Sequence, residues 1–203
     1  MKARLTGLIA ALLLAACSAP TVPDFTWYRL PRPQPLLAAP SPWIAPVVVE
    51  AFAADGLYAD QALVYALDAD AQQLRQYHYQ MWVDPPMRML QRRLALMLRE
   101  ASLARTVSDQ LPASRDAIRI RGTVLRLDRV PLAAGGWQVV VLLKLHAIAP
   151  GDRVLVDEIY RDAAPVDGGD IKATVDAYGA VIDRIYARFY ADLREHGEAA
   201  GVH

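Results

Sequence analysis

Residues Ile118–Ala163 read IRIRGTVLRLDRVPLAAGGWQVVVLLKLHAIAPGDRVLVDEIYRDA, and this stretch decides the fold. Apolar and polar residues alternate through Ile118–Val130, the pattern of a strand with one face buried. Ile118 and Ile120 lie in one phase and Leu125 and Leu127 in the other, so a β-bulge is predicted near Gly122. Ala133-Ala134-Gly135-Gly136 has the composition of a hairpin turn. Trp137–Ile148 is the most apolar strand, Pro150-Gly151-Asp152 turns the chain again, and Val154–Ala163 is the third strand. Three long adjacent strands joined by tight turns are an antiparallel meander, and one such face needs a partner layer.

That layer comes from two amphipathic helices. After the meander, Asp167-Gly168-Gly169-Asp170 breaks the strand and caps a helix. Ile171, Val175, Tyr178, Ile182, Ile185, Phe189 and Leu193 form its stripe, with Asp176, Asp183, Arg184, Arg188 and Arg194 opposite. Before the meander, Asp84-Pro85-Pro86 starts another helix. Asp84 is placed to cap it and proline suits the first turn. Met87, Leu90, Leu94, Met97, Leu98 and Ala101 form its core stripe, with an end near Ala104 or Arg105. Upstream, Ile44–Glu50, Ala62–Leu67 and Leu74–Trp82 read as three more strands. The expected fold is α+β: a two-layer sandwich of a mostly antiparallel or mixed sheet with both helices on one face.

The N-terminus addresses the chain. Lys2 and Arg4 precede an unbroken apolar run, Leu8–Ala16, which ends at Cys17, the single cysteine of the 203 residues. A charged start, a short apolar run and small residues before a cut are a secretory signal. Leu14-Ala15-Ala16-Cys17 resembles the lipobox of bacterial lipoproteins. It implies cleavage between Ala16 and Cys17 and a diacylglycerol and acyl chain on Cys17; no other cofactor is expected. Ser18, rather than Asp, fits export to the outer membrane under the common sorting rule. The mature chain, having lost Lys2 and Arg4, carries 20 basic and 22 acidic residues, a net charge of −2.

Seven of the 14 prolines fall within residues 18–42. Such a segment forms neither helix nor central strand. It reads as an extended spacer with one short edge strand within Phe25–Leu30. The organisation is thus a signal peptide (1–16), a lipidated Cys and Pro-rich tether (17–42), one domain (43–196) and a short frayed tail (197–203).

The balance of 22 basic and 22 acidic residues argues against nucleic-acid binding. A lone cysteine excludes a disulfide framework and a multi-cysteine metal site. His78, His146, His196 and His203 have no metal-site spacing, so no metal is expected. Asp157, Glu158, Asp167 and Asp170 read as strand-edge and cap residues. No Gly-x-Ser-x-Gly, P-loop or Gly-x-Gly-x-x-Gly is present, and the chain is expected not to be an enzyme.

Two features stand apart from the core pattern. Trp82 with Asp84, Pro85 and Pro86 forms a strand-to-helix corner, with Trp82 expected in the core. Met89, Leu96 and Leu103 recur every seven residues away from the core stripe, beside Arg88, Arg92 and Arg99. This row reads either as a partner or self-association face or as a face covered by the tether.

Several of these pieces together resemble a known family. They are Trp27-Tyr28-Arg29-Leu30 before a Pro-rich linker, Ile44-Ala45-Pro46-Val47-Val48-Val49, Leu74-Arg75-Gln76-Tyr77, Trp82-Val83-Asp84-Pro85-Pro86, and Met89-Leu90 with Leu94 and Leu98. The chain is similar over nearly its whole mature length to the ABC-type transport auxiliary lipoproteins, the intermembrane transport lipoproteins of the paraquat-inducible type. It departs from that pattern at Glu50–Asp55, where relatives often carry Pro and Tyr-Leu. The resemblance implies a lipoprotein on the periplasmic face of the outer membrane. Its partners would be an inner-membrane ABC permease and ATPase and a mammalian-cell-entry-type periplasmic protein, and the cargo phospholipid or another hydrophobic molecule. A lipid or lipopolysaccharide chaperone with its own acyl pocket is the alternative, and would need a cavity between sheet and helices. A structural envelope lipoprotein is a further one.

Overall fold

The computed structural model describes residues 23–110 and 116–201. The signal peptide, Ala16, Cys17 and Ser18 lie outside the described residues. The chain forms β1 (Thr26–Tyr28), β2 (Val47–Val49), β3 (Ala53–Ala54), β4 (Ala62–Ala66) and β5 (Leu74–Trp82). Helix α1 (Pro86–Glu100) and β6 (Val107–Ser108) follow, then β7 (Ile118–Pro131), β8 (Trp137–Ala149), β9 (Arg153–Val166) and the closing helix α2 (Ile171–Ala199).

The long meander organises everything else. β7 and β8 pair antiparallel from Arg119↔Ile148 to Pro131↔Trp137, and β8 and β9 from Trp137↔Val166 to Ala149↔Arg153. The other edge of β7 receives three short strands in succession, all parallel to it: β2 at Ile118–Ile120, β3 at Thr123–Val124 and β4 at Asp128–Arg129. β5 pairs antiparallel with β4, and β1 adds parallel to β5 in the register Trp27↔Met81. The expected edge strand is therefore present, and the sheet is mixed.

The phase slip in β7 is also present, at a different residue. The register shifts between Val124 and Arg126, leaving Leu125 as the extra residue. Gly122, where the bulge was predicted, keeps its pairing with Leu145. Its glycine serves another need: a Cβ there would lie 2.4 Å from the Phe52 ring.

Both helices lie against one face of the curled sheet and share one core. Leu90, Leu94, Leu98, Ile118, Ile120, Leu143, Leu145, Ile182, Ile185 and Phe189 are all fully buried in it. The two-layer α+β architecture follows from this shared layer. Asp170 caps α2, its side chain accepting from the Ala173 N–H at 2.6 Å. The C-terminal boundary differs from expectation. α2 runs to Ala199, and Gly197 is buried against Trp43 rather than beginning a frayed tail.

Candidate interaction surface

The Pro-rich segment, from residue 23 onward, is not a free spacer. It leaves β1 and runs as a strap across both helices, tied at intervals. Leu30 is buried, and the Pro31 ring lies on Gly179 of α2, where a Cβ would come within 2.5 Å of the Pro31 Cγ. Further along, the Ala39 N–H donates to the Ala101 carbonyl at 2.9 Å and the Trp43 N–H to the Leu103 carbonyl at 2.9 Å. The five prolines from Pro31 to Pro42 favour this use as well as they favour a spacer. An extended segment with few N–H groups leaves few donors to satisfy when it packs on a protein surface.

The strap is fastened by a charge pair that the helical wheels alone had not singled out. Arg93 of α1 and Asp183 of α2 are 7% exposed each. Arg93 Nε donates to Asp183 Oδ1 at 2.8 Å, and Arg93 Nη1 donates to the Pro31 carbonyl at 2.6 Å. The Gln34 N–H donates to Asp183 Oδ2 at 2.9 Å. Two helices and the strap thus meet at one ion pair. Asp183 was expected on the wet face of α2. It is buried because that face is covered: Gly179, Asp183, Tyr186 and Tyr190 form a second inward stripe against the strap and α1, where the Tyr186 hydroxyl donates to the Leu90 carbonyl at 2.9 Å. Arg93 lies about 40° beyond Met97 around the helix, outside the core stripe, and is buried because the strap covers it.

This arrangement decides the row at Met89, Leu96 and Leu103. Leu103 is fully buried and stands outside α1, which ends at Glu100, with Ser102 at φ 53° turning the chain. The outward reading of Leu103 is corrected accordingly. Met89 and Leu96 are half-buried and line an open groove of about 450 Å³, with Arg29–Pro33 of the strap along the other wall. Arg92 stands at its rim, about half exposed, with its Nη1 3.5 Å from Asp84 Oδ2. A second open groove, of about 480 Å³, runs along Pro35–Leu37 and α2 residues Tyr190, Ala191 and Arg194.

The strand-to-helix corner is structural, in a different way from that expected. Trp82 is 2% exposed and meets Tyr178 edge to face, ring centroids 5.6 Å apart. Burial pushes the Tyr178 hydroxyl well above its ordinary pKa. Asp84 does not cap α1. Pro85 occupies the N-cap position, no side chain accepts there, and Pro86 starts the helix. The Asp84 carboxylate points instead to Arg92, four residues into the helix from Arg88 and beyond capping reach.

Other polar groups are used within the fold. Tyr58 donates to the fully buried Asp128 at 2.7 Å, and Arg126 Nη2 pairs with the same carboxylate at 2.5 Å. Burial, then the hydrogen bond to Asp128, pushes the Tyr58 hydroxyl far up. Arg129 is 4% exposed, donates to Tyr77 Oη at 2.8 Å and lies 4.0 Å over the Trp137 ring. Asp157 is held below the usual carboxylate range, first by the hydrogen bond from Lys144, whose Nζ is 3.1 Å away. Among the described residues no three His, Cys, Asp or Glu side chains form a group able to hold a metal. No helix among them is long and apolar enough to cross a membrane.

The fold and its strap define a two-layer α+β domain whose accessible features are grooves and patches. The chain belongs to the ABC-type transport auxiliary lipoprotein component family, whose model matches residues 28–188. It is accordingly a membrane-associated envelope component that works with ABC transport systems. The match begins at Tyr28, so the strap is part of the family unit. In fold it is similar to the crystal structure of protein XCC0632 from Xanthomonas campestris. The TM-score is 0.75 at 13% identity, over 87% of this chain and 98% of that one. The crystal structure of an uncharacterized protein is also similar, with a TM-score of 0.65 at 17% identity over 85% and 99% of the two chains. No curated protein matches the chain by sequence.

Proposed function

We propose that this chain is the lipid-anchored accessory subunit of an ABC-driven intermembrane transport system, held on the periplasmic face of the outer membrane through Cys17. Its partners are an inner-membrane ABC permease and ATPase and a periplasmic protein of the mammalian-cell-entry type. The cargo is phospholipid or another hydrophobic molecule. The family match over residues 28–188 carries this reading. The chain's own work is tethering and recognition, with ATP hydrolysis on another subunit. The filled layer between sheet and helices supports docking over an acyl pocket within this subunit, because Leu90, Leu94, Leu98 and Ile118 occupy that space.

The strap adds a geometric consequence. Eight residues lie between Cys17 and Thr26, the first residue of β1. Even fully extended, that stretch reaches only about 30 Å. An anchor at Cys17 therefore holds the domain close to the bilayer, not at the end of a long tether.

In vivo crosslinking, followed by purification from membranes and mass spectrometry, tests the assignment. Recovery of an ABC permease or a mammalian-cell-entry-type protein is the expected result. Labelled palmitate should enter the wild type and not Cys17→Ser. Reproducible capture of an outer-membrane assembly machine in place of a transporter overturns the transport reading.

A further inference from the structure

β1 carries an exposed aromatic patch that neither the core nor the strap uses. Phe25 is 56% and Trp27 51% exposed. Their rings stack with centroids 6.4 Å apart, and Phe25 meets Tyr79 of β5 edge to face at 5.5 Å. The parallel register sets Trp27 beside Met81, which is half-buried, and Val83 lies exposed just beyond the strand. Alternation along both strands explains the grouping. Tyr28 and Trp82 point toward the core, so Trp27, Tyr79 and Met81 share the opposite face. Asp24 and Arg29 flank the aromatic pair along the chain, both exposed.

We propose that this patch is a membrane-contact surface, seated in the headgroup region of the bilayer that holds the lipid anchor. The inference rests on the anchoring of Cys17 proposed above. Only seven residues lie between Cys17 and Phe25, a reach of at most about 28 Å. Among the described residues, the first strand after the anchor is the strand that carries the patch. Tryptophan and tyrosine favour this setting, with an apolar body and a polar edge for the water side. A cluster of large exposed aromatics is costly to leave in water, and the surface brought nearest by the anchor is the bilayer. The anchor supplies proximity, and the patch then fixes which side of the domain faces the membrane. The strap grooves are left open to the periplasm.

The four tryptophans make this measurable. Trp43 and Trp82 are 5% and 2% exposed, Trp137 is half-buried under Arg129, and Trp27 alone of them is widely exposed. The full lipoprotein is purified in detergent and reconstituted into phosphatidylethanolamine–phosphatidylglycerol vesicles, with or without brominated phospholipid. Trp27→Tyr serves as the control, since it keeps an aromatic strand former and removes one indole. Circular dichroism reports folding, and mass spectrometry of the same preparation reports the lipid on Cys17. The wild-type emission should shift blue on reconstitution and fall with bromolipid, and Trp27→Tyr should show neither change. Equal quenching of both forms with lipid present on Cys17 overturns the inference alone. Protection of Trp27 from both bromolipid and aqueous acrylamide places a protein on the patch and also overturns it. Absence of lipid from Cys17 overturns the anchoring reading and removes the proximity on which the inference stands. Should Trp27→Tyr fail to fold, the wild-type blue shift and bromolipid quenching decide on their own.

Discussion

Arg93 and Asp183 come from different helices, 90 residues apart, and meet in a buried ion pair whose remaining hydrogen bonds belong to the strap. The Pro31 carbonyl and the Gln34 N–H are the strap's two contacts with it. A buried pair of this kind adds little net stability over a well-packed apolar pair, and its loss on one side is expensive because a charge is left unpaired.

Asp183→Ala should therefore destabilise the domain by about 3–5 kcal/mol. Arg93→Met with Asp183→Leu should lie closer to wild type than either single change, because no charge is then stranded. Chemical denaturation of the four forms checks the cycle. A double variant as unstable as Asp183→Ala would mean that the strap contacts, not the charges, set the cost.

The corner gives two opposite expectations. Trp82→Ala removes a fully packed indole and should cost about 3–5 kcal/mol. Asp84→Ala removes only an exposed pair with Arg92 and should cost less than about 1 kcal/mol. Thermal melts of both variants distinguish this from a capping role, in which Asp84→Ala alone would lower the melting temperature clearly.

These two sites show what the sequence discloses and what it hides. Trp82 and the alternating runs of β5 and β7 were legible because a strand's period of two reports which face is buried, and β8 and β9 were legible from the turn residues that bound them. The two helices were legible from their stripes and from Asp170, which has a free N–H three residues on to accept from. Asp84 misled because two prolines follow it, and the chain enters α1 with Pro85 at the boundary. Asp183 misled for a different reason. A helical wheel divides residues into one inner and one outer face, and α2 has two covered faces, the sheet on one side and the strap on the other. Proline content told that residues 29–42 are extended, but not that an extended chain lies on the protein. The glycines were the available clue: Gly179 and Gly197 sit in α2, where glycine is unfavourable unless something approaches closely.

Asp162 predicts an acid-side dependence. It lies on β9 with Arg184 of α2 donating from Nε at 2.8 Å, Arg188 3.9 Å away and its neighbour's Ala163 N–H at 2.7 Å. Burial pulls its pKa up, but the Arg184 hydrogen bond, the Ala163 N–H and the two positive charges outweigh that and hold it below the usual range. A depressed folded-state pKa contributes stability that is fully present above the unfolded carboxylate's value of about 3.9 and is lost as pH falls through the folded one. Asp162→Asn should thus cost on the order of 1 kcal/mol at neutral pH. The gap to wild type should narrow below about pH 4, where the unfolded carboxylate protonates, and close as pH falls through the lower folded-state value. Urea titrations at several pH values measure the two curves, and a gap that stays constant to low pH would remove the charge from the explanation.

Gly179 tests whether the strap is part of the fold or merely rests on it. Any side chain there must displace the Pro31 ring, since a Cβ would sit 2.5 Å from Cγ and 2.8 Å from Cδ. Proline cannot rotate away as a flexible side chain can, so the strap backbone itself has to move. The movement pulls the Pro31 carbonyl from Arg93 and the Gln34 N–H from Asp183, exposing the pair to water. Two effects oppose each other in Gly179→Val. Helix propensity improves by a few tenths of a kcal/mol, because glycine is the poorer helix former. Overpacking of a close contact costs about 1–3 kcal/mol, and this is the larger effect. The variant should be destabilised, and the strap should become the first site of limited proteolysis within residues 29–37, while β7–β9 stay protected. Hydrogen exchange should locate the loss at Gln34 and Ala39, whose N–H groups are otherwise held by Asp183 and the Ala101 carbonyl. If Gly179→Val were instead as stable as wild type with an uncleaved strap, the contact between Pro31 and α2 would be slack, and the ion pair alone would hold the strap in place.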